Sequence, residues 1–151
     1  MTEGLRTLLL AASGIVVWFS WQSVRVSSTA LTSPDRLVGE LRLAQMGALL
    51  LTLSAGTYVG IAATHEMTLG VGLDVALALG FFVVASVAVV QDPRSALTML
   101  ALAFAAHAVL AVAHRPGLLP DGIVPRWYTI GCAVYDVLIG ALCYLPMLRR
   151  Q

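Results

Sequence analysis

Three ionisable residues, Asp74, His107 and Asp136, each sit inside a long apolar stretch of this chain. A carboxylate beside an imidazole lets the two share a proton or a charge where an apolar surrounding would otherwise force neutrality. The chemistry open to such a set is proton or cation handling, base-and-orienter catalysis, or a polar clamp between helices. His107 and Asp136 are the expected hydrogen-bonded pair. Each of the three shares a helical face with small residues four positions away: Asp136 with Cys132 and Gly140, His107 with Ala103 and Ala111, Asp74 with Gly70 and Ala78. Small neighbours at that spacing mark a face that meets another helix. At 1.5 Å of rise per residue, Asp74, His107 and Asp136 lie ~7, ~10 and ~13 Å from the same end of their helices. Tyr58 and Tyr135 fall at intermediate depth, and His65, Glu66 and His114 at the mouth, which together predict a polar pocket open on one side. The opposite halves offer only Thr52, Ser54, Ser86, Thr98 and Gln45, so no ionisable group completes a route across.

Other chemistries find less support. His107 and His114 are ~10 Å apart along one helix, too far to ligate one ion together, although either could pair with His65 or hold a haem. A metal set of His114, His65 and Glu66 is possible but unspecific. His65-Glu66 begins like a zincin helix, yet that motif needs a second histidine where this chain has Leu69. The hydrolase GxSxG, the redox CxxC and the haem-attachment CxxCH patterns are absent. Cys132 and Cys143 are ~16 Å apart on one helix and cannot bridge each other. The cofactor is left open, with haem or metal binding through His107, His114 and His65 as a second alternative function, and the leaning is away from an enzyme.

The elements that must position these residues are five apolar stretches, Thr7 to Val24, Leu41 to Ala63, Leu69 to Val90, Ala96 to Ala113 and Trp127 to Leu148. Each is close to the ~20 residues a helix needs to cross ~30 Å of hydrocarbon. With 59% hydrophobic residues, 11% charged and a mean hydropathy of +0.88, the chain has too little polar surface for a soluble domain of its size. The fold expected is therefore all-α: a polytopic helical integral membrane protein of five transmembrane helices in one domain over 1–151. A net charge of +1 suggests no nucleic-acid partner.

The chain has no lysine and nine arginines, which fits an arginine-rich bacterial genome, and the location expected is a bacterial inner membrane. Arg25, Arg36, Arg42, Arg94, Arg149 and Arg150 fall on one side and Arg6, Arg115 and Arg126 on the other. The positive-inside rule then places the C-terminus in the cytoplasm. The lesser alternative takes Arg6, Leu8 to Val17 and Ser28 to Ala30 as a cleaved signal peptide, leaving four helices. That arrangement would invert the charge bias, and Trp18 and Trp21 suit a retained helix anchored at an interface.

Ser33-Pro34, Asp92-Pro93 and Pro125 read as helix starts, since proline fits a first turn and a preceding Ser or Asp caps its free amides. A helix from Pro34 would carry its first two turns, with an i,i+4 pair of Arg36 and Glu40, out into the cytoplasm. Short links make helices two, three and four a series of hairpins. Ala44, Ala48, Thr52, Gly56, Gly60 and Thr64 form a stripe of small residues, matched by Gly72, Ala76 and Gly80 on the third helix. The expectation is that the two stripes pack together, with homodimerisation through Gly56 and Gly60 as the sharper alternative. The function expected is that of a small non-enzymatic packing or accessory membrane protein with an outward-facing polar pocket, in a homo-oligomer or a larger complex. The runner-up is a transporter or binding protein that uses that pocket for a proton, cation or small ligand.

Overall fold

Proline and the polar residue before it set two of the helix starts. Asp92 caps the fourth helix, its Oδ1 accepting the Ser95 amide at 3.1 Å, and Pro93 occupies the first turn. Hydrogen bonds from Ser95 hold the Asp92 carboxyl below its ordinary value. The cap is therefore complete at neutral pH and is lost as the pH falls through that lowered value. Ser33 Oγ likewise accepts the Asp35 amide at 3.3 Å ahead of Pro34.

The computed structural model describes residues 3–63, 71–114 and 126–148. It has five helices: α1 Glu3–Ser28, α2 Pro34–Ala63, α3 Val71–Val90, α4 Pro93–Ala113 and α5 Arg126–Leu148. All five are long and apolar enough to cross a membrane. Pro125, an expected helix start, lies outside the described residues. Consecutive helices α2, α3 and α4 pack as neighbours, α4 lies most extensively along α5, and α1 rests on α5 and α2. Phe19 of α1 is fully buried in the core, with Leu51, Leu97, Leu100, Phe104, Ile139 and Cys143. These side chains form a buried apolar layer within the bundle.

The first turns of α2 do not project freely. Arg36 and Glu40 are 3% and 2% exposed, and their Nε to Oε1 distance is 2.8 Å. Arg36 Nη1 donates to the Thr29 carbonyl and Nη2 to the Pro146 carbonyl, each at 2.8 Å. The guanidinium fork thus joins the ends of α1 and α5, where helix dipoles favour a cation. Arg94, itself well exposed, reaches Glu40 Oε2 at 3.3 Å. The i,i+4 spacing was visible in the sequence; the burial comes from the long-range partners.

Pro146 has a second consequence. It lacks the amide that would bond the Leu142 carbonyl four residues earlier, and an unpaired carbonyl in an apolar surrounding is costly. Ser23 of α1 supplies the missing donor, its hydroxyl 2.6 Å from Leu142 O.

The small-residue stripes do not pack as expected. Ala44 and Ala48 are buried, but Thr52 and Gly60 are exposed, as are Gly72, Ala76 and Gly80 on α3. Nothing lies within 4 Å of a Cβ placed at Gly60, Gly72 or Gly80, and at Gly56 such a Cβ meets only the Phe82 ring. The reason is geometric: a four-residue step turns ~40° about a 3.6-residue helix, so four steps carry the stripe ~160° off the interface. The buried faces follow alternating steps of three and four instead: Ala44, Ala48, Leu51, Ala55 and Tyr58 on α2, and Val71, Asp74, Ala78, Ala85 and Ala88 on α3.

Close approach occurs at other glycines. A Cβ at Gly140 would stand 3.1 Å from Phe104 Cβ and 3.2 Å from the Ala101 carbonyl oxygen, and one at Gly47 would crowd Cys143 Sγ and Leu100. Since the Ala101 carbonyl belongs to helix backbone, Gly140→Ala is expected to destabilise the protein by about 1–3 kcal/mol. Denaturant unfolding in detergent measures this, and a variant as stable as the parent would refute tight α4–α5 contact there.

Candidate functional site: two histidine–carboxylate pairs around Tyr58

The α4 seam that buries Leu100, Ala103 and Phe104 continues through His107 and Ala111. The α5 seam of Gly140 and Ile139 leads likewise to Asp136. Opposed seams therefore carry the two polar groups to the same level. His107 Nδ1 lies 2.6 Å from Asp136 Oδ2, with both side chains almost fully buried.

A second pair lies one helical turn or more closer to the bundle end. His114, the residue following α4, places Nε2 2.7 Å from Asp74 Oδ1 on α3. Its Nδ1 donates to the Leu110 carbonyl at 2.7 Å. The sequence reading set His114 at a pocket mouth, and its partnership with Asp74 was missed. The signal was available: His107 and His114 share a helical face at a seven-residue spacing, and Asp74 begins its helix at the same end.

Tyr58 of α2 joins the pairs. Its ring centroid is 5.7 Å from that of His107 and 5.8 Å from that of His114, while the Phe81 ring stands edge-on to His107 at 4.8 Å. Between these rings is a cavity of about 20 Å³ lined by Tyr58, Asp74, Phe81, His107 and His114 among others. That volume suits one water-sized species. Asp136 reaches the cavity only through His107. Tyr135 does not line it. One residue before Asp136, it is turned ~100° around α5 and faces a separate, mainly apolar crevice of about 240 Å³ with Ile15, Tyr128 and Cys132.

Hydrogen-bond chemistry fixes the proton count of the outer pair. A backbone carbonyl only accepts, so His114 Nδ1 carries a hydrogen. Its Nε2 then contacts Asp74 either as a donor to a carboxylate or as an acceptor from a carboxylic acid. One proton lies between them in both cases, and the pair is neutral as a unit. The inner pair differs, because no carbonyl fixes the His107 tautomer: Nδ1–H donates to an Asp136 carboxylate, or an Asp136 carboxylic acid donates to Nδ1. Tyr58 OH and Asp136 Oδ1 are buried with no hydrogen-bond partner among the described residues. A buried polar atom left so costs about 1–3 kcal/mol.

His65 and Glu66, expected at the mouth, lie outside the described residues, so the metal set that included them is not formed by what is described. Among the described residues no three His, Cys, Asp or Glu side chains converge on one point. Both His114 nitrogens are engaged, whereas His107 Nε2 has no hydrogen-bond partner among the described residues. Cys132 and Cys143 are free thiols. Comparing the chain with protein families, with curated proteins and with solved structures gives no match.

Proposed function

We propose that this is a small, non-enzymatic, single-domain integral membrane protein of five spans whose outward-facing pocket binds a proton or one small polar ligand. The observation that carries this reading is the incomplete hydrogen bonding of the cluster. A purely structural clamp would be satisfied, whereas here the buried Tyr58 hydroxyl, on a residue lining a cavity of one water's size, has no partner among the described residues, and neither has Asp136 Oδ1 behind His107. The apolar layer of Phe19, Leu97, Leu100, Phe104 and Ile139 separates this cluster from the Arg36–Glu40 pair, so exchange is with one side only and a transmembrane channel is disfavoured. We place the protein in a bacterial inner membrane with the His114 end outside and the C-terminus in the cytoplasm, because Arg25, Arg36, Arg42 and Arg94 gather at the other end. Work within a larger membrane complex is compatible with this assignment.

Hydrogen–deuterium exchange read by infrared spectroscopy of the protein in detergent tests it. Side-chain bands of the cluster, assigned by their loss in Asp74→Asn and Asp136→Asn, are expected to shift on transfer to D2O faster than the amides of the apolar layer exchange. Bands that exchange no faster than those amides would reduce the cluster to a clamp.

A further inference from the structure

At the Arg36 end, α1 and α2 diverge to leave a cleft of about 460 Å³ lined by Gln22, Arg25, Val26, Thr29, Asp35, Val38, Gly39 and Arg42. Its floor is a close helix contact, since a Cβ at Gly39 would stand 2.8 Å from Val26 Cγ2. Its walls carry two arginines from different helices. Both are exposed, and neither makes an ion pair among the described residues. Arg25 is instead held over the Trp21 ring, 5.6 Å from its centroid. Asp35 is the one acidic residue in the lining, so the cleft retains a net positive charge.

We propose that this cleft binds the phosphate of an anionic phospholipid, with Arg25 and Arg42 as its two cationic contacts. Two features favour a lipid phosphate. Two guanidinium groups facing one cleft suit an oxyanion, which they can bind through paired N–H donors. Exposed Trp21 beside Arg25 is the side chain expected at the boundary between headgroups and acyl chains. The proposal rests on the protein spanning a membrane and is independent of the histidine–carboxylate cluster.

The test is native mass spectrometry of the protein released from neutral detergent with added phosphatidylglycerol, phosphatidylcholine or inorganic phosphate. Retention of phosphatidylglycerol is expected to exceed that of phosphatidylcholine. With each basic residue near an anionic surface contributing about 1 kcal/mol, the Arg25→Gln/Arg42→Gln double variant should lose affinity roughly thirtyfold. Arg126→Gln, exposed at the opposite end, should bind as the parent does, and Arg25→Lys/Arg42→Lys should restore most of the preference. Equal retention of the two lipids by the parent, or undiminished phosphatidylglycerol binding by the glutamine double variant, would overturn the proposal. Inorganic phosphate that displaces the lipid at equal concentration would assign the cleft to free phosphate instead.

Discussion

Glu40→Ala is expected to destabilise the protein by about 3–5 kcal/mol, among the largest effects of any single substitution in this chain. Arg36 is 3% exposed, and among the described residues Glu40 is its one close counter-charge. Removing the carboxylate leaves a guanidinium buried against the Thr29 and Pro146 carbonyls with an uncompensated charge. Arg94→Ala should cost no more than about 1 kcal/mol, because Arg94 is 57% exposed and stands 3.3 Å from Glu40. Arg36→Met/Glu40→Met should recover part of the single-variant loss, since no unpaired charge remains, but not all of it, because both carbonyls lose their donor. Unfolding in a mild detergent distinguishes these outcomes. A Glu40→Ala variant within 1 kcal/mol of the parent would show that the pair is hydrated rather than buried.

Asp136→Leu is expected to destabilise the protein by about 1–3 kcal/mol, because it leaves a buried imidazole without its hydrogen-bond partner at the other end of the bundle. His107 Nδ1 loses the carboxyl that stood 2.6 Å away and remains enclosed by Phe81 and Tyr58. His107→Leu/Asp136→Leu should be more stable than either single variant, because two apolar side chains of similar bulk leave nothing unsatisfied. The double-mutant cycle therefore gives a coupling of about 2 kcal/mol or more. A coupling near zero would mean that the two groups do not contact each other. Stability alone does not separate a clamp from a binding site. Solvent exchange at the cluster of the folded parent does.

The helices were legible because their signals are local. Apolar length defined all five, and Ser33-Pro34 and Asp92-Pro93 marked the starts of α2 and α4. The proximity of His107 and Asp136 followed from depth counting and from the small residues beside each. What the sequence obscured was rotation about the helix axis. A stripe read at four-residue spacing drifts off the contact face, so Gly72, Ala76 and Gly80 were assigned inward and face outward. Tyr135 suffers the same error by a single residue, and lies beside the crevice instead of the cavity. Long-range polar partners were hidden for another reason. Nothing near Arg36 in the sequence announces Pro146, and nothing near Ser23 announces Leu142, because those acceptors are backbone carbonyls without a residue-type signature.

These two backbone acceptors also bear on how the chain is made. Ser23 finds its partner 119 residues later and Arg36 finds one 110 residues later, both in the closing turns of α5. The first two helices alone can already satisfy most of the Arg36 guanidinium, through Glu40 and the Thr29 carbonyl. The Ser23 hydroxyl and Arg36 Nη2 gain these acceptors only when α5 packs, so docking of α5 completes both polar contacts.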